Sequence, residues 1–226
     1  KQKVLISRLK NYMAEQKSKK GLLGRFMDIL SGRPTENSQT EELDKPVIEF
    51  SAEESDPTDL GFVKKFTASG GKFLYCEDEG EAFHFLRQIM EESGLGQVYC
   101  TDPNLISILR KAEVNVHEND WTNSDAFCTS CEYLVSFNGG IMISANQLHG
   151  KKLEDLPETF ITIGRTSQIT DNLRSALAGI RVRYKNNLPS QITTIKGPKK
   201  VENLEENDQG KICNKEIYLL LLEDQL

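Results

Sequence analysis

Apolar and polar positions follow a regular order from residue 56 onward, where stretches of helical spacing alternate with short apolar runs. The first stretch carries Leu60, Phe62, Val63 and Phe66 and ends at a Gly-Gly pair, which predicts a helix followed by a turn. After it come the runs KFLYC, QVYC and VNVHE, separated by the helical patterns EGEAFHFLRQIMEESG and PNLISILRKAE. Strands that alternate with helices in this way favour a parallel sheet.

The C-terminal half continues the alternation. It contains the run TFITIG, a helix predicted over TSQITDNLRSALAGIRVRYK, the segment SQITTIKGP and the terminal run EIYLLLLED. The terminal run is apolar from Ile217 to at least Leu221, which suits a strand that is covered on both faces. The sequence therefore predicts an α/β fold with a mostly parallel sheet flanked by helices.

The N-terminal quarter differs from this pattern. Residues 1–30 carry two amphipathic stretches and predict a helical arm that packs on its own domain or on a neighbouring subunit, with membrane-surface binding as the alternative. Residues 31–56 are polar, acidic and proline-bearing, which is typical of a linker. We expect three parts: an arm (1–30), a linker (31–56) and an α/β domain (57–226). A homo-oligomer formed through the arm is a further expectation.

Composition narrows the class of protein. A formal net charge of −6 and a pI of about 5.3 argue against a nucleic-acid-binding protein, which usually concentrates Lys and Arg on one face. No stretch approaches the roughly 20 apolar residues that a membrane span requires, and residues 1–30 lack the apolar core of a signal peptide. These observations predict a cytoplasmic protein.

Five cysteines are present, which is an odd number without regular spacing and fits reduced thiols. The pair Cys128 and Cys131 has the spacing of metal ligands. A zinc or iron–sulfur site normally needs four ligands, and the sequence has no second such pair and only three scattered histidines. We therefore expect no metal and no cofactor in this chain.

The stretch CEYLVSFNGGIMISANQ (131–147) has two interpretations. Its strand-like run breaks at Asn138, Gly139 and Gly140 and then resumes. An Asn-Gly step is a strong short-range indication of a β-hairpin. The same residues can also adopt positive φ and expose backbone N–H groups, which is the basis of an anion-binding nest.

Five segments of the chain occur in a recognisable order and spacing: LGFVKKFTASGGKFLYC, FCTSCEYLVSFNGGIMIS, LEDLPETFITIGRTSQI, IKGPKKVENLE and EIYLLLLED. Together they resemble the LUD domain family, the lactate-utilisation proteins, over roughly residues 57–224. The resemblance implies the fold of the CoA-transferase, ribose-phosphate isomerase and glucosamine-phosphate deaminase group. Proteins of that group bind anionic ligands over glycine-rich turns near strand ends, consistent with the rule for open α/β sheets.

Glu132 is the expected general acid or base, because it is the carboxylate beside the glycine turn, although a solvated strand-end glutamate is the plain alternative. Phe137 occupies the position where the family usually has a glutamate, which leaves open whether the chain is catalytic. We hypothesise a pocket with the 138–140 turn as one wall, Glu132 beside it and the 197–198 loop opposite. The residues expected to bind the ligand are Thr129, Asn138, Gly139, Gly140, Arg165, Gly197, Pro198 and Lys200.

Three functions remain open from the sequence. The first is an accessory or substrate-handling component in the oxidation of L-lactate or a related 2-hydroxy acid, with electrons carried by iron–sulfur oxidase subunits, because this chain lacks GxGxxG and a cluster-binding cysteine set. The second is a stand-alone enzyme or binder for a small anion such as an acyl-CoA or sugar phosphate, with positive charge from Arg165 and from lysines 196, 199 and 200. The third is a non-catalytic interaction protein.

Overall fold

The computed structural model describes residues 57–198, 211–212 and 214–224 of the chain. The predicted arm, the predicted linker and Lys200 lie outside these residues. No helix in the described ranges is long and apolar enough to cross a membrane.

The described residues alternate between helices and short strands along the chain. The helices are α1 (Thr58–Ala68), α2 (Glu79–Glu92), α3 (Pro103–Lys111), α4 (Ala145–Leu148) and α5 (Leu173–Tyr184). The strands are β1 (Lys72–Cys76), β2 (Val98–Tyr99), β3 (Val116–His117), β4 (Ala126–Thr129), β5 (Tyr133–Val135), β6 (Gly140–Ile143), β7 (Thr159–Arg165), β8 (Ile169–Thr170), β9 (Thr193–Lys196), β10 (Lys211–Ile212) and β11 (Glu216–Leu222). Single 3₁₀ turns occupy Leu153–Asp155 and Thr166–Gln168.

A parallel sheet forms the centre of the described residues, with the strand order β1-β11-β7-β4-β2-β3. Each neighbouring pair in it is parallel, as the alternation of strands and helices predicts. The terminal strand β11 lies between β1 and β7, so that Leu220 is opposite Leu74 on one side and Ile163 on the other. The predicted α/β fold with a mostly parallel sheet is confirmed.

Alternate side chains of this sheet face different layers. Leu74 and Leu220 point to the layer of α2 and α3, where they join a core with Leu86 and Leu109. Residues of the other parity point the opposite way, and there Gly164 of β7 lies beside Leu134 of the hairpin that follows β4. The strands are therefore covered on both faces, which explains their continuous apolar runs.

A second sheet covers that opposite face, and the sequence did not predict it. Its order is β10-β9-β6-β5-β8, and it mixes parallel and antiparallel pairs. Helix α5 packs on its outer side through Ala176 and Ile180, which contact Val135 and Met142. The described layers thus follow the order helices, parallel sheet, mixed sheet, helix. Strands of two to four residues are too short for their periodicity to identify them.

The stretch 131–147 forms a hairpin, as one of its two interpretations predicts. Strands β5 and β6 are antiparallel, with Val135 opposite Gly140. The backbone N–H of Gly140 donates to Asn138 Oδ1 at 3.1 Å, and Gly139 has a φ of 64°. The turn is buried against α1, since a Cβ on Gly139 would lie 2.5 Å from the backbone nitrogen of Phe66. The glycine at this turn permits close approach to a helix of the same chain.

Helix α5 begins later than the sequence predicts. The helical pattern from Thr166 includes Ile169 and Thr170, but these residues form β8 and pair with β5. The helix begins at Leu173 because Asn172 caps it, accepting a hydrogen bond from the backbone N–H of Ser175 at 3.0 Å. The prediction of one continuous helix over this segment is wrong.

We predict that Gly139→Ala destabilises the protein more than Gly94→Ala does. Both glycines have a positive φ, but a Cβ on Gly94 meets nothing within 4 Å. Gly94→Ala should therefore cost about 1–2 kcal/mol of backbone strain, while Gly139→Ala adds about 1–3 kcal/mol for the displaced α1 backbone. Urea unfolding of both variants measures the difference, and equal losses would contradict the close contact.

Candidate functional site

The carboxyl ends of β1, β11 and β7 lie side by side and open into a cleft of about 230 Å³. Ligands of open α/β sheets bind outside this edge, because loops and helix N-termini meet there. Four carboxylates and one guanidinium line the cleft. The lining residues are Asp78, Glu79, Arg165, Leu222, Glu223 and Asp224.

Glu223 enters the cleft directly after β11. Its backbone N–H donates to the carbonyl of Cys76 at 2.9 Å, which extends the pairing of β11 with β1. The Tyr75 hydroxyl donates to Glu223 Oε2 at 2.6 Å, and burial together with this bond raises the pKa of Tyr75. Within the described part of the chain, Glu223 Oε1 is buried and has no hydrogen-bond partner. An acceptor of this kind is costly unless a donor reaches it.

Asp224 is held by the turn that follows β7. Its Oδ2 accepts hydrogen bonds from the Thr166 hydroxyl at 2.9 Å and from the Ser167 N–H at 2.6 Å. Partial burial acts to raise the pKa of Asp224, but these hydrogen bonds and the charge of Arg165 outweigh it and leave the pKa below its ordinary value. Asp224 therefore stays ionised beside the guanidinium of Arg165.

Arg165 ends β7 opposite Leu222 of β11, and its side chain is exposed. Among the ligand-binding residues expected from the sequence that the structure describes, Arg165 is the one that lines this cleft. The other lining residues were not expected. A signal for the acidic ones was present in the sequence, because acidic residues follow KFLYC at 77–79 and follow IYLLLL at 223–224.

Glu132 lies elsewhere, at the open end of the β5–β6 hairpin. Its backbone N–H donates to the carbonyl of Met142, so three strand residues separate it from the turn at 136–139. The hypothesis that it stands beside the glycine turn is therefore not matched by the structure. Its side chain is 0% exposed.

The Glu132 carboxylate is enclosed by donors from three neighbours. Oε1 accepts from the Ser144 hydroxyl at 2.9 Å, and Oε2 accepts from the Arg183 guanidinium at 3.0 Å. The Tyr184 hydroxyl lies 3.0 and 3.1 Å from the two oxygens. This network ties the hairpin to the C-terminal end of α5, and it contradicts the alternative of a solvated glutamate.

The glycine turn and the 197–198 loop both pack against α1 and the turn that follows it. A Cβ on Gly197 would lie 2.3 Å from the carbonyl oxygen of Ser69, in the turn after α1, while Gly139 approaches the last turns of the same helix. Pro198 is exposed, and Asn138 is buried. Thr129 is buried at the end of β4, opposite Thr162 of β7.

Lys196 is buried at the end of β9, near Lys65 of α1. Burial and the charge of Lys65 lower the pKa of Lys196. The Lys65 ammonium donates to the carbonyl of Phe137 at 2.8 Å. Both cations therefore belong to the packing of α1 on the hairpin and on β9.

Cys128 and Cys131 point to opposite faces of the parallel sheet. Cys128 belongs to the core beneath α2 and α3, whereas the Cys131 sulfur lies near Gly164 and Leu134 on the side of the mixed sheet. Burial raises the pKa of Cys131 to about 12. Two thiols on opposite faces of a sheet cannot ligate one metal ion, so the CxxC spacing here does not form a chelating pair.

We predict that Glu132→Gln lowers the free energy of unfolding by about 1–3 kcal/mol, because it removes the charge that Arg183 and Tyr184 stabilise. The exposed Glu91→Gln on α2 is the matched control and should stay within about 0.5 kcal/mol of the parent protein. Urea unfolding gives both values. A loss in Glu132→Gln no larger than that of the control would show that the network contributes nothing to stability.

We also predict that Asp224 makes stability depend on pH in the acid range. Its pKa in the folded protein lies below the ordinary value of 3.8, so its stabilising contribution is present above that pH and is lost as the pH falls through the folded pKa. The difference in unfolding free energy between the parent protein and Asp224→Asn should therefore shrink as the pH is lowered below about 4. A difference in unfolding free energy that is constant across this pH range would show that folding does not lower the pKa of Asp224.

Comparisons with known proteins give the family and the fold. Residues 61–222 match the LUD domain family. The crystal structure of a DUF162 family protein from Deinococcus radiodurans is similar to this chain, with a TM-score of 0.50 and 12% sequence identity over 74% of this chain and 96% of that chain. At that identity the likeness shows the fold alone. No curated protein matches the chain.

The family match covers most of the chain and nearly all of the described α/β region. It agrees with the resemblance carried by the five sequence segments. The chain belongs to the LUD domain family, which relates it at the family level to the proteins of lactate utilisation.

Proposed function

We propose that this protein is a substrate-handling component in the oxidation of L-lactate or a related 2-hydroxy acid, and that the strand-end cleft holds the acid. Family membership supports the class of pathway. The observation that carries the proposal is the position of Arg165 beside Glu223 and Asp224 at the carboxyl ends of parallel strands. A 2-hydroxy acid needs a cation for its carboxylate and an acceptor for its hydroxyl, and these residues supply both.

The guanidinium of Arg165 is the group suited to the carboxylate of the acid, since its fork of N–H donors matches two carboxylate oxygens. Glu223 Oε1 is the acceptor suited to the hydroxyl, because it lacks a partner among the described residues. The terminal torsion of a glutamate is soft, so a modest rotation presents this oxygen to a donor in the cleft. A ligand with a carboxylate and an adjacent hydroxyl would then satisfy both groups.

The charge of the cleft separates this proposal from the binding of an acyl-CoA or a sugar phosphate. Four carboxylates surround one guanidinium, so each added negative charge on a ligand is repelled. A monocarboxylate carries the smallest such penalty among the anions considered. The cleft volume of about 230 Å³ also suits a molecule of a few heavy atoms.

The buried cysteines favour a role in substrate handling over electron transfer by this chain. A cluster or redox site on this chain would use thiolates, whereas burial raises the pKa of Cys131, and a hydrogen bond with Cys100 together with burial raises the pKa of Cys128. We propose that the electrons pass through partner subunits of the iron–sulfur oxidase type. The enclosed carboxylate of Glu132 favours a role in holding the protein together over a role in proton transfer.

The proposal predicts that the full chain binds L-lactate and that Arg165→Met abolishes the binding. Arg165→Lys should retain only part of it, because an ammonium lacks the bidentate fork. Propionate, which lacks the hydroxyl, should bind about tenfold more weakly, the equivalent of one hydrogen bond to a charged group. L-malate keeps the 2-hydroxy acid but adds a second carboxylate, and it should also bind more weakly. Isothermal titration calorimetry measures each affinity.

Arg87→Met is the matched control, because Arg87 is an exposed arginine on α2 outside the cleft. It should leave the affinity for L-lactate unchanged. Equal binding of L-lactate and propionate would contradict the role of Glu223 as acceptor for the hydroxyl. Unchanged binding of L-lactate by Arg165→Met would show that the acid does not bind in the cleft.

A further inference from the structure

The exposed face of α5 combines arginines with large apolar side chains. Ala176 and Ile180 bury one side of the helix against the mixed sheet. At 100° per residue, Arg174 and Arg181 point away from that side and are exposed. No carboxylate of the described residues pairs with either guanidinium.

Exposed apolar side chains lie on the same helix as these arginines and beside its two ends. The large apolar side chains that are exposed in the described part of the chain all lie on α5 or next to its ends. They are Phe137 (60% exposed), Leu177 (38%), Val182 (77%) and Leu188 (51%). The backbone of Phe137 bonds to Asp171, just before the helix, and Leu188 follows it. A surface that gathers apolar groups in this way is typical of an interaction site.

We propose that this face, formed by Phe137, Arg174, Leu177, Arg181, Val182 and Leu188, docks a partner protein that presents a row of carboxylates flanked by apolar side chains. Charge complementarity selects this occupant. The arginines occupy the middle of the helix face, with Leu177 on one side and Val182 on the other. They therefore meet the centre of an acidic surface while the apolar side chains are covered at its margins.

The same arrangement disfavours two other occupants. A second copy packed about a twofold axis through α5 would place arginines against arginines. A membrane-surface helix carries its apolar residues in the centre of the buried face and its basic residues at the margins, which is the reverse of the order seen here. The proposal does not rest on the strand-end cleft, since α5 lies on the outer side of the mixed sheet.

The test uses the full chain and a fluorescein-labelled synthetic helical peptide in which leucines flank a row of glutamates, with the lysine version of the peptide as the reference. The acidic peptide should bind and the basic one should not. The double variant Arg174→Glu/Arg181→Glu should weaken binding by about tenfold or more, and rising salt should weaken binding to the parent protein. Arg87→Glu on α2 is the matched control and should bind like the parent. Fluorescence anisotropy measures all of these affinities.

A second double variant tests the contribution of the apolar side chains to peptide binding. Val182→Ser/Leu188→Ser should also weaken peptide binding, while the midpoint of urea unfolding stays unchanged, because both side chains are exposed. Failure of the acidic peptide to bind, or equal binding by the double arginine variant, would overturn the proposal. Sedimentation with phosphatidylserine vesicles, or dimerisation in light scattering, that depends on Arg174 and Arg181 would overturn it in favour of a membrane or a second copy.

Discussion

The insertion of β11 between β1 and β7 is the constraint on which the rest of the described structure depends. Leu219, Leu220 and Leu221 are fully buried there, each worth about 1.5–3 kcal/mol of transfer free energy. Without this strand, β1 has no neighbour in the parallel sheet, and the core under α2 and α3 loses one side. The same insertion carries Glu223 and Asp224 to a place between Asp78 and Arg165. The stability of the sheet and the construction of the cleft therefore share one cause.

Two groups of charged residues in this fold differ in how completely their carboxylates are hydrogen-bonded. The carboxylate of Glu132 has donors from a serine, an arginine and a tyrosine, and its side chain is out of contact with solvent. The cleft keeps within one small space an exposed guanidinium and a carboxylate oxygen that has no partner among the described residues. A closed network of charges stabilises a junction between elements, whereas an open one has capacity left for a ligand. This contrast supports the proposal that the cleft binds the ligand and that Glu132 has a structural role.

Much of the parallel sheet could be predicted from the sequence, because β1 and β11 carry the uninterrupted apolar runs FLYC and IYLLLL and the strands are separated by helices with clear periodicity. The mixed sheet could not, since β8 has two residues and its pairing with β5 depends on a contact distant in sequence. For the site, the family resemblance directed attention to the glycine turn and to Glu132. Which strand ends become neighbours is a property of the strand order, and only that order shows that the acidic residues after β1 and β11 meet Arg165 in one cleft.

The positions of the cysteines allow thiol labelling to show which part of this protein opens first. Cys76, Cys100 and Cys128 lie in the core beneath α2 and α3, while Cys131 lies on the side of the mixed sheet, and all four are buried free thiols. The thiolate attacks an alkylating reagent, and a buried sulfur is out of reach of it, so each sulfur reacts only after its own layer has opened. The order in which the four become labelled therefore reports which of the two layers separates first.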